Sequence, residues 1–174
     1  MVLGVSIAAV LAAACASNAP PATTVAPITA PAPGTRPPAP PPLLGHVKRA
    51  AVENYETWKA LRAQDYSPDT AAVRTIRERG KGVTVLLVLG TWCPDSKREV
   101  PRFFKIFDQA RLNINNLTMV GVDRTKKDAE GLTVKHSITR VPTFVFFRKN
   151  QEIGRVTERA TTTLEKDIAA ILVK

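Results

Sequence analysis

An α/β domain, one sheet with helices packed on both faces, is the fold class the sequence predicts, and three stretches carry the prediction. Val83–Leu89 is an unbroken run of apolar and β-branched residues with little alternation, as expected of a strand covered on both sides. Directly after it the period changes. Val100, Phe103, Phe104 and Phe107 stand at i, i+3, i+4 and i+7, the apolar stripe of a helix expected from about Pro94 to Arg111. Leu117–Asp123 is another apolar run of strand length and reads as a second central strand.

The remaining elements follow in order. Ala51, Tyr55 and Trp58 at i, i+4 and i+7 mark a first helix from about Val47 to Arg62. Ser67-Pro68 opens a second, with Val73 and Ile76 inward and Gly80 as its stop, so that a helical extension precedes the first strand. At the far end, Thr162 followed by Glu165 has the spacing of a capping box, and Leu164, Ile168, Ile171 and Leu172 form the inward stripe of a last helix. These apolar residues are core positions. The portion from His46 to Lys174 is long enough for one small domain with one core, and no internal repeat marks a second.

Upstream the composition is different. Met1–Cys15 is apolar or small throughout; as a helix it would span about 22 Å against a bilayer core of about 30 Å, so residues 1–15 read as a signal-peptide h-region. Leu11-Ala12-Ala13-Ala14-Cys15 resembles the lipobox of bacterial lipoproteins, which implies lipidation of Cys15; the leucine stands one place further from the cysteine than is usual, and no Lys or Arg precedes the run. Simple secretion, an uncleaved anchor and an apolar N-terminus without targeting function are the other readings. Residues 16–45 hold ten of the 14 prolines, between Pro20 and Pro42, with Ala and Thr filling most of the rest. That composition cannot build a core and favours extended polyproline II, the physics of a stalk. A lipid-anchored stalk places the domain in the bacterial cell envelope, facing the periplasm or the exterior, with the membrane as one partner.

The chemistry concentrates in Gly90-Thr91-Trp92-Cys93-Pro94-Asp95-Ser96. Pro94 suits the first turn of the following helix, where a missing N–H costs nothing. Cys93 then stands at the helix start, where unpaired N–H groups and the dipole favour a thiolate, and a reactive sulfur there has to be exposed. Pro101, eight residues on, removes one helical bond and bends the helix. Further along, Ile138-Thr139-Arg140-Val141-Pro142-Thr143 precedes the apolar run Phe144–Phe147, a polar turn at Arg148–Gln151 and a second strand-like stretch, Glu152–Val156.

Taken together, in order and at fitting distances, these residues resemble the thioredoxin superfamily over residues 46–174. The resemblance implies a three-layer fold with a mixed central sheet, a cis Val141–Pro142 bond facing Cys93, and thiol–disulfide chemistry with no cofactor. Trp92, Pro94, Val141 and Pro142 would form the substrate side, the Val141 backbone pairing with an extended client segment. Two departures qualify this. Ser96 occupies the place of the resolving cysteine, and a hydroxyl cannot displace a mixed disulfide; Leu87 stands where the family holds a buried aspartate. What remains is a monothiol arrangement: Cys93 as nucleophile, Ser96 donating a hydrogen bond to the sulfur, Asp95 opposing the thiolate and Lys97, with Arg98, offsetting it.

Cys15 and Cys93 are the only cysteines. If Cys15 is lipidated, no internal disulfide can form and the fold is held by packing alone. The expected function is thiol–disulfide exchange or isomerisation on protein or small-molecule disulfides, with client proteins or an external thiol reductant as partners. The other class left open is a redox-inactive thioredoxin-like binding or scaffold module of the envelope, which the serine at 96 favours. A third, a peroxide-reacting cysteine, lacks the threonine and arginine pattern of peroxiredoxins. The formal charge of +10 is spread over several elements without an arginine-rich stripe or stacking aromatics, so nucleic acid is not an expected partner. Such a basic surface suits solvation, or attraction to anionic lipid and wall polymers. His46 and His136 make no metal-ligand pattern, and no metal is expected.

Overall fold

The computed structural model describes residues 39–61 and 65–174. The expected signal segment, Cys15 and residues 16–38 of the expected linker lie outside them. Five strands form one mixed sheet in the order β1-β3-β2-β4-β5. β2 (Val83–Leu89) lies at its centre, parallel to β3 (Leu117–Gly121) and antiparallel to β4 (Thr143–Arg148). β5 (Gln151–Thr157) returns antiparallel to β4, through a turn whose residues Lys149 and Asn150 both have positive φ, the backbone that suits a tight hairpin.

The central run is apolar without alternation because both faces are covered. Val85, Leu87 and Leu89 point to a large core shared with Phe103, Phe144, Phe146 and Ile168, while Leu86 and Val88 point to a smaller one with Val120, Val122 and Val145. The two layers are unequal. α2 (Thr70–Arg79), α3 (Pro94–Gln109) and α5 (Leu164–Leu172) all deliver residues to the large core. The small core is closed by the four-residue α4 (Leu132–Lys135) and the chain around it.

Three expectations are corrected. The first helix is interrupted: α1 (Arg49–Glu53) ends at Asn54, and a 3-10 turn, Glu56–Leu61, follows. Val52 and Trp58 are buried, whereas Ala51 is exposed, so the inward stripe runs through a different face. The Tyr55 hydroxyl explains part of this, since it donates to Pro40 O at 2.8 Å and ties the break to the chain upstream. Second, the sheet starts inside the expected linker. β1 (Gly45–His46) pairs antiparallel with Gly121 and Val120, and Leu43 packs on the large core. Third, no capping box forms at the last helix. Thr163 is the N-cap; Glu165 turns to Tyr66 and Asp69, and Asp167 instead accepts from Thr161 N and Thr162 N.

Candidate active site around Cys93

β2 and α3 are joined by Gly90–Cys93, and that junction builds the site. Cys93 is the N-cap residue of α3, with extended backbone, and Pro94 occupies the first helical position, exposed. The Val141–Pro142 peptide bond is cis, and Cys93 Sγ donates to Val141 O at 3.2 Å. Residues 48 apart in sequence are thus in direct contact. Pro142 O in turn accepts from Glu158 N at 2.7 Å, and Thr143 Oγ1 donates to Arg140 O, which fixes the Val141–Pro142 turn against β5.

Trp92 forms one side. Its indole N–H donates to Val122 O at 2.9 Å, its ring packs against the small core that holds Cys93, and the Arg124 guanidinium lies over the ring at 4.9 Å, within cation–π range. Thr91, absent from the sequence expectations, is 1% exposed and is gripped twice: Leu43 N donates to its hydroxyl and Trp58 Nε1 donates to its carbonyl. Sequence could not have found this role, because the two donors lie 48 and 33 residues upstream of Thr91 and only folding brings them to it.

The expected exposure of the sulfur is corrected. Cys93 is 7% exposed, packed with Leu86, Val88, Ile138 and Val141, because the β2–α3 junction sits on the small core and Trp92 lies alongside. The expected Ser96–sulfur hydrogen bond is corrected as well. Ser96 is fully buried and its oxygen accepts from Gly90 N at 3.2 Å, so it braces the turn that precedes the cysteine.

The carboxylate of Asp95 is answered by Arg98 at 2.8 Å and Arg159 at 3.1 Å. Burial pushes its pKa up, but hydrogen bonds and charge from the two arginines outweigh this and hold it below the usual carboxylate range. Arg98 thus takes the balancing role expected of it, joined by Arg159, which lies 64 residues away. Lys97 is half-buried and forms no ion pair among the described residues. Leu87 is fully buried in the large core, as an apolar residue there should be. Below this turn, Glu99 is nearly buried against Arg98 and Arg102.

The thioredoxin family model matches residues 71–170, a stretch running from within α2 into α5 and covering more than half of the chain. The chain belongs to the thioredoxin family. At family level a thioredoxin-like domain indicates a thiol–disulfide oxidoreductase type of function. Among solved structures, a Pseudomonas aeruginosa protein of unknown function is 15% identical with a TM-score of 0.53, covering 74% of this chain and 90% of its own. An HIV epitope-scaffold is likewise 15% identical, with a TM-score of 0.54 and coverage of 74% and 91%. These two share the thioredoxin fold seen here. Fasciola hepatica thioredoxin is 24% identical with a TM-score of 0.34, over 48% of this chain and 75% of that one. No curated protein matches. The thioredoxin domain thus brings Trp92, Cys93, Pro94, Val141 and Pro142 together, and turns Ser96 and Asp95 to other partners.

Proposed function

We propose that this thioredoxin domain performs monothiol thiol–disulfide exchange through Cys93, tethered in the bacterial envelope by a lipid on Cys15. The contact between Cys93 Sγ and the carbonyl preceding cis-Pro142 carries the reading, since it sets the one described thiol at a helix start beside the Val141 backbone. In the exchange step Cys93, as thiolate, attacks one sulfur of a client disulfide. A Cys93–client S–S bond forms, the client S–S bond breaks, and the departing sulfur takes the electron pair and then a proton. Ser96 cannot resolve that adduct. A second client thiol releases it as isomerisation or reduction, and a small-molecule thiol or partner reductase releases it otherwise. Trp92 and Pro94 flank the approach, and the Val141 backbone pairs with the extended client.

Incubation of the purified protein with oxidised client proteins tests this directly: mixed disulfides form with the native chain and disappear in Cys93→Ala. Acylation of Cys15 is read by mass spectrometry of the protein from its own host, and an unmodified Cys15 removes the anchor from the reading. A second reading, a binding module without electron transfer, is favoured by the 7% exposure of Cys93 and the absence of a resolving thiol. It predicts slow alkylation of native Cys93, no adduct, and client retention that survives Cys93→Ala.

A further inference from the structure

We propose that the client of this site is an acidic segment, whose carboxylates are received by the chain between β3 and α4 beside Trp92. The proposal rests on the reading of Cys93 as an exchange nucleophile and adds the substrate class. Around the sulfur, most cations are already neutralised. Arg98 is paired with Asp95 and Glu99, Arg102 with Glu99, Arg159 with Asp95, and Arg140 with Glu158. The other side of the site is different. Arg124 lies on the Trp92 ring, Lys126 and Lys127 follow it, and none of the three forms an ion pair among the described residues.

The two nearest carboxylates in the same stretch are occupied by the backbone. Asp123 accepts from Thr125 N and its hydroxyl, and Asp128 accepts from the N–H groups of Glu130, Leu132 and Thr133. Their oxygens are directed at the chain's own donors and form no ion pair with Arg124, Lys126 or Lys127, of which Arg124 and Lys127 are exposed and Lys126 is half-buried. Lys126 and Lys127 also border a cleft of about 310 Å³ with Thr125, Ser137, Ile138 and Thr139. Ile138 belongs to the same small core as Cys93, which sets this cleft next to the sulfur's surroundings. Ammonium groups beside hydroxyl donors suit a carboxylate, and a cleft of that size accepts a Glu or Asp side chain carried by a client next to its disulfide.

The test uses three peptides, each bearing one cysteine as a mixed disulfide with a coloured aryl thiol, and flanked by Glu, Gln or Lys. Attack by Cys93 joins it to the peptide sulfur, breaks the peptide–aryl bond and expels the aryl thiolate with the electron pair, while the cysteine proton passes to solvent. Each rate is divided by that of the same peptide with mercaptoethanol, which removes the peptide's own reactivity. At low salt the Glu peptide reacts about tenfold or more faster than the Lys peptide with the full chain, and the ratio falls as salt rises. It collapses toward one in Lys126→Gln/Lys127→Gln and falls in Arg124→Gln, both checked by circular dichroism for an intact fold. A ratio near one in the native chain, or one unchanged in both variants, overturns the proposal. If no peptide reacts, it is the exchange reading that fails. The charge preference is then judged by fluorescence anisotropy of Cys→Ala versions of the peptides, where the same ranking supports it and equal binding overturns it.

Discussion

Glu165 shows at single-residue scale how this fold holds a buried acid. The residue is 3% exposed, and its carboxylate receives the Tyr66 hydroxyl, Asp69 N and the Thr163 hydroxyl. Glu165→Ala would leave those donors without their acceptor, and a loss of about 1–3 kcal/mol in denaturant unfolding is expected. Burial alone would raise the pKa of this group, but its donors outweigh burial and lower it. The folded pKa therefore lies below the unfolded one. The stabilisation is fully present above the ordinary carboxylate range and is lost as pH falls through the folded value. Asp95 and Asp128 have the same sign, each with burial opposed by donors. Melting temperature should then fall below about pH 4, with a shallower acid limb in Glu165→Gln. Of these partnerships, only that of Asp95 with Arg98 was legible in the sequence. The run around Cys93 could be read because neighbours along one chain fix a helix start, whereas Ser96 and Asp95 found partners through the turn geometry and through Arg159, which only folding brings near.

At the scale of elements, four of the five strands were legible, and β1 and the break in the first helix were not. β2 is bounded sharply by Gly82 and Gly90 and needs no distant information to be read as buried. The segment ahead of it is set by what lies against it. The Tyr55 hydroxyl reaches Pro40, Trp58 reaches Thr91, and the helix breaks at Asn54–Tyr55, ahead of the turn that carries Trp58. β1 is only two residues long and has no pattern to detect; it exists because Gly121 lets Leu43 approach. A Cβ at Gly121 would lie 2.2 Å from Leu43 O, so the contact cannot survive a side chain there. Gly121→Ala should displace β1 and destabilise the protein by about 1–3 kcal/mol in urea unfolding, with faster amide exchange at Val47, whose N–H donates to Met119 O.

Over the whole molecule, the sheet carries most of its helices on one face, and the smaller face holds the cysteine. The sequence announces helices and strands but not their sides, because an inward stripe does not say which face of the sheet it meets. Residues 38–174 form a compact unit of their own. A chain beginning at residue 38 should melt with the full-length protein in calorimetry, while one beginning at residue 47, which lacks β1 and the Pro40 and Leu43 contacts, should melt about 4 °C lower or more.

The grip of Leu43 on Thr91 has a mechanical side. Any load applied from the front of the chain meets the Pro40 contact, then a hydroxyl two positions from the sulfur, and only after these a ladder two residues long. Tension at Leu43 would therefore be felt at the junction where the thiol sits before it reaches the deep sheet.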